Sequence, residues 1–159
     1  MTKLMFCALL TVVAMASSPA RAGEAAADPV VGTWKLNVSK STFTSGPALK
    51  DQTRTYSQSG PSISLVMKTV AADGSAATSR TTYQLDGKDY PVMGSADYDS
   101  LSARQIDSHT AEFTLKKGGK AIGTTSRKVS KDGKTLVSEM KVTAAQGGPA
   151  DSTLVFDKQ

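Results

Sequence analysis

One cysteine, one histidine and one tryptophan occur in 159 residues. The cysteine, Cys7, sits in the first apolar run, so the remainder of the chain can form no disulfide and must be held by burial and strand pairing. With His109 as the lone histidine, no thiol and imidazole set for a metal is available, and no metal or other cofactor is expected. Basic residues stand as singles or pairs (Lys116-Lys117, Arg127-Lys128) among acidic ones, without interleaved aromatics, which speaks against a nucleic-acid surface. The apolar run at residues 4–16 is too short to remain as a bilayer anchor, so no stable membrane insertion is expected.

That run does have a use. Lys3 before it and Ala20-Arg21-Ala22 after it read as a secretory signal peptide over residues 1–22, cut between Ala22 and Gly23. Phe6 is too bulky for a lipoprotein motif, and Cys7 lies near the start of the apolar run and not after it, so lipid anchoring is not the expectation. Lys3 and Arg21 leave with the signal, taking 19 basic residues to 17 against 14 acidic ones, and the net charge from +5 to +3. The mature chain, residues 23–159, is expected to be one secreted or periplasmic domain and a monomer.

Its organising stretch is Val30-Val31-Gly32-Thr33-Trp34-Lys35-Leu36-Asn37. Val30, Gly32, Trp34 and Leu36 alternate with Val31, Thr33, Lys35 and Asn37, the period of two expected of a strand. Gly32 lets another chain segment approach closely, and Trp34 can plug one end of a small barrel. Residues 23–29 read as a frayed leader. Residues 38–50, limited by Gly46-Pro47, read as a lid or crossing segment with at most one helical turn around residues 39–43.

From Asp51 onward turn chemistry recurs: Ser59-Gly60-Pro61, Asp73-Gly74, Asp86-Gly87, residues 94–97, Asp107-Ser108-His109, Gly118-Gly119, Asp132-Gly133 and Gly147-Gly148. Between these signals, Ile63, Leu65, Met67 and Thr69 share one face of a strand. Ala111, Phe113 and Leu115 share another, as do Leu136, Ser138, Met140 and Val142, and Leu154 with Phe156. The result is an all-β chain of roughly ten short strands, and the uniformly short connections favour an up-and-down antiparallel barrel over a Greek-key sandwich.

These residues carry a resemblance. Gly32-Thr33-Trp34 resembles the Gly-x-Trp that opens lipocalins, and Val31-Gly32-Thr33-Trp34-Lys35-Leu36 with Ser39 and Phe43 resembles the start of fatty-acid-binding proteins. The mature chain is similar to small secreted bacterial lipocalin-like (calycin-type) proteins over residues 31–40, 83–94 and 129–135. The resemblance implies a barrel of about eight to ten strands around a cavity for a small hydrophobic ligand. It also implies a late-strand arginine over the tryptophan, and Arg127 holds that position in the chain. The Arg-x-Tyr pair by which fatty-acid-binding proteins hold a carboxylate on their last strand is replaced here by Leu154 and Phe156, and residues 38–50 are too short for their helical lid.

The candidate cavity lining is Met67, Tyr83, Arg104, Phe113, Arg127, Met140 and Phe156, residues that core packing would also explain. Arg104 and Arg80 either point outward into water or, if inward, require an anion. His109 lies in a turn with no nucleophile and orienting group evident beside it, and Asp73, Asp86 and Asp132 are explained by hairpins. The expectation is therefore no enzyme but an exported carrier or sensor of a small hydrophobic molecule. The alternative is a protein-binding module such as an inhibitor of an exported hydrolase, with an enzyme at the barrel mouth as a third reading.

Overall fold

A computed structural model describes residues 27–44, 48–142 and 151–159. The signal segment with Cys7, leader residues 23–26, the Gly46-Pro47 break and the Gly147-Gly148 turn lie outside the described residues.

Eleven strands follow the alternation of the sequence: β1 Gly32–Leu36, β2 Thr42–Phe43, β3 Asp51–Ser59, β4 Ser62–Val70, β5 Ala76–Tyr83, β6 Asp86–Met93, β7 Ser100–Gln105, β8 Thr110–Lys117, β9 Lys120–Val129, β10 Thr135–Val142 and β11 Ser152–Lys158. β1 pairs with β3, and from there each strand pairs antiparallel with the next until β11 returns to β1, closing a ten-stranded up-and-down barrel. Closure removes the unpaired edges that an open sheet would present. In the closing register Trp34 faces Lys158, Lys35 faces Asp157 and Leu36 faces Phe156. The short β2 extends the same edge, with Thr42 opposite Thr153 and Phe43 opposite Ser152. The helical turn expected around residues 39–43 is a 3-10 turn one residue earlier, Val38–Lys40, because Asn37 accepts the Lys40 N–H through its side chain. No helix among the described residues is long and apolar enough to cross a membrane.

The hairpin signals hold at most positions. Gly118 and Gly119 both take positive φ, 55° and 77°, the pair a two-residue turn needs between β8 and β9. Asp86-Gly87 is the exception: these residues lie inside β6, where the register shifts between Asp86 and Asp89, and the connection from β5 is made by Gln84 and Leu85 just before them. The Asp86 carboxylate accepts the Lys88 N–H there, so Asp-Gly chemistry has built a bulge in place of a hairpin. Next to it the barrel wall is thin. β5 and β6 share only the pairs Arg80–Met93 and Thr81–Val92, Pro91 has no N–H to offer, and the Thr81 hydroxyl donates to the Pro91 carbonyl at 2.9 Å.

Inward side chains divide the barrel into two ends. At one end Val30, Trp34, Ile63, Ala111, Val129, Leu136 and Phe156 are buried in a packed plug. Trp34 donates from its indole N–H to the Val30 carbonyl at 2.7 Å, so its polar edge is satisfied inside the plug. At the other end the inward residues are Leu65, Met67, Thr69 and Met140, and the interior stays open.

Candidate functional site

The open end holds a cavity of about 610 Å³. Its floor is aromatic: the Tyr83 and Phe113 rings meet edge to face with centroids 5.4 Å apart and planes at 82°. Its walls carry Leu65, Met67, Leu101, Leu115, Met140 and Leu154, and its mouth is bordered by Phe43, Leu49 and the β6–β7 connector at residues 94–98. Of the seven residues that the sequence suggests as lining, Met67, Tyr83, Phe113, Arg127 and Met140 reach this space.

Two do not. Arg104 stands on the outer face of β7, exposed, and its Nε donates to Glu112 Oε2 at 2.9 Å on the neighbouring strand. With water and a carboxylate at hand, nothing draws that charge inward. Arg80 is likewise exposed. Phe156 is inward but fully buried, and its ring lies beneath the Arg54 guanidinium, 4.4 Å from ring centroid to carbon. It belongs to the plug and not to the lining.

Arg127 is 4% exposed and donates to Asp28 Oδ2 at 2.7 Å and to the Tyr83 hydroxyl at 3.0 Å. Its Nε is buried without a hydrogen-bond partner, and its guanidinium lies 5.7 and 5.8 Å from the Tyr56 and Phe113 ring centres. Burial pushes the Tyr83 phenol above its ordinary value despite the opposing Arg127 charge, so the pair meets as cation and neutral hydroxyl. The cation expected above Trp34 is therefore not Arg127. Lys158 takes that place, its Nζ 5.1 Å from the indole centre, because β1 and β11 set the two residues opposite each other.

Asp28 also corrects the reading of the leader as frayed for its described residues, 27–29. Its backbone N–H donates to Gln58 Oε1 at 2.7 Å, and its carboxylate accepts both Arg127 and the Val30 N–H. A buried guanidinium demands a counter-charge, and the segment just before β1 supplies it.

The sequence reading passed over Arg54. On β3 the residues Gln52, Arg54 and Tyr56 all face inward and line the cavity. Arg54 is 8% exposed; its Nε donates to Gln52 Oε1 at 2.8 Å, and Gln52 in turn donates to the Thr69 hydroxyl at 2.9 Å. The half-buried Tyr98 phenol on the connector is raised by burial, with the Arg54 charge acting against the rise. The signal was present in Asp51-Gln52-Thr53-Arg54-Thr55-Tyr56, where alternation puts Arg54 on the face that Tyr56 marks as inward.

Among the described residues no group of three or more His, Cys, Asp or Glu side chains stands together as metal ligands. His109 is half-buried, with its backbone N–H donating to Asp107 Oδ1 at 2.8 Å, and it serves the turn between β7 and β8. No protein-family model matches the chain, and no curated protein matches it either.

Proposed function

We propose that this chain is a lipocalin-like binding protein that holds a small hydrophobic molecule inside its barrel as a carrier or sensor. The observation that carries the reading is the cavity of about 610 Å³ above an aromatic floor. That volume lies within the roughly 300–1,000 Å³ of pockets that take small ligands. Apolar side chains make up most of its wall surface, and polar groups including Gln52, Thr69, Ser79, Thr125 and Ser138 stand among them, so burial gives affinity and hydrogen bonds give orientation. The Gly32-Thr33-Trp34 strand opening supports the lipocalin-like assignment.

In this reading the signal peptide is removed after Ala22, and the mature monomer works in the periplasm or the medium. It holds its ligand without transforming it: Arg127 is committed to Asp28 and Tyr83, and the arrangement is one of positioning. The experiment is denaturing extraction of the purified mature protein followed by mass spectrometry, together with titration of a neutral apolar fluorophore. A small apolar compound that co-purifies, or saturable uptake of the fluorophore with one site per chain, is the expected result. Failure of both would overturn the reading.

A further inference from the structure

We propose that Arg54 is the anchor for the ligand's head group, and that the ligand is an apolar molecule ending in one carboxylate. The inference rests on the interior-binding reading above and adds the chemical class.

The guanidinium is held on two sides. The Phe156 ring lies 4.4 Å beneath it, and Gln52, itself held by Thr69, takes the Nε hydrogen. The terminal nitrogens are the donors left over, on a side chain that lines the cavity. Two N–H groups of one guanidinium edge match the two oxygens of a carboxylate, and the fork is fixed in place before anything arrives.

Charge decides the sign and the number. The ion pairs of the described residues involve Lys35, Lys40, Lys88, Arg104, Lys116 and Arg127, and none involves Arg54. The stretches between β2 and β3 and between β10 and β11 that lie outside the described residues, 45–47 and 143–150, contain no Asp or Glu by sequence. Arg127, the other buried arginine, is neutralised by Asp28 at 2.7 Å. With the lining's one carboxylate, Asp97, exposed on the connector at the mouth, the buried Arg54 guanidinium is therefore left without an ion-pair partner among the described residues. One negative charge on the ligand balances it, whereas a dianion would leave an excess negative charge that the apolar walls cannot solvate. Leu65, Met67, Leu101, Leu115, Met140 and Leu154 then surround the apolar body.

The test is calorimetric titration, at neutral pH, of the mature protein stripped of co-purified lipid, with dodecanoate, dodecan-1-ol and dodecyl phosphate as probes. Dodecanoate is expected to bind at least about tenfold more tightly than the alcohol, the ratio appropriate to a charge-assisted hydrogen bond. It should also bind more tightly than the phosphate. Arg54→Met should bring acid and alcohol to equal affinity, and Arg54→Lys should restore part of the preference. Alcohol and acid binding alike to the unaltered protein would overturn the anchor and leave the interior-binding reading standing. Tighter binding of the phosphate would overturn the single-carboxylate assignment. If no probe binds, both readings fall. The comparison on the unaltered protein decides even where Arg54→Met does not fold, and an Arg54→Met protein that keeps the full preference for the acid would also overturn the anchor.

Discussion

Lys158 lies across the closed end of the barrel with its Nζ 5.1 Å from the centre of the Trp34 ring, and its stem passes over Gly32. A Cβ at residue 32 would come within 2.9 Å of Lys158 Cε, and Gly32 has φ of 131°, outside the range other residues adopt easily. Gly-x-Trp is thus a joint specification: the glycine leaves room for the cation that covers the tryptophan two residues on.

Gly32→Ala should lower stability by about 1–3 kcal/mol, combining backbone strain with displacement of the lysine stem. Lys158→Ala should cost less, about 0.5–1 kcal/mol for an exposed cation over a ring. Urea unfolding measures both. Equal midpoints for Gly32→Ala and the unaltered protein would contradict the arrangement.

Asp28 should matter more than its place ahead of the first strand suggests. Asp28→Ala leaves Arg127 buried and unpaired, at a cost of about 3–5 kcal/mol. Combining it with Arg127→Met removes the stranded charge, so the double variant should be more stable than Asp28→Ala alone. A double variant that unfolds earlier than either single change would show that the charge is not what Asp28 answers.

Acid should weaken the barrel through its turns and its closing strand. The carboxyls of Asp99, Asp107, Asp132 and Asp157 are held below their ordinary range. Asp99 accepts the Gly118 N–H, Asp107 the His109 N–H, Asp132 the Ser130 hydroxyl and Asp157 the Asn37 amide. Because the folded values are depressed, the unfolded chain takes up protons first. The stabilisation is complete above the unfolded value of about 3.9 and is lost as pH falls through the folded ones. Thermal midpoints should be level above about pH 5 and decline below about pH 4. A level midpoint down to about pH 2 would mean that these carboxylates do not stabilise the fold.

Period-two alternation and turn chemistry made the architecture legible, because a strand buried on one face must repeat every second residue. They also placed Met67, Phe113 and Met140 correctly on inward faces. Two kinds of fact escaped. One is pairing across the barrel: only the register of β1 with β11 brings Lys158 to Trp34, and only closure brings Asp28 to Arg127, 99 positions away. The other is depth. Alternation marks Phe156 and Met140 as equally inward, yet Phe156 is sealed in the plug and Met140 borders the cavity, a difference set by position along the barrel axis. Arg54 was missed because a charged residue on an inward face runs against burial statistics, although its neighbour Tyr56 identified the face.

Filling the container gives a last test that is independent of any head group. Met140 is partly buried, sits on β10 and lines the cavity beside Leu154 and Ser138. Met140→Trp adds a large rigid ring to a space that is empty of protein atoms, so it should not displace the plug formed by Trp34, Ile63 and Phe156 at the far end. Overpacking a filled core costs about 1–3 kcal/mol, and filling a void costs less. The variant should therefore unfold within about 1 kcal/mol of the unaltered protein. Uptake of a neutral apolar fluorophore should fall at least about tenfold, since the ring takes up volume that the ligand needs. Stability loss with unchanged uptake would place the bound molecule elsewhere on the barrel, because a ligand that does not share space with residue 140 is not in this cavity.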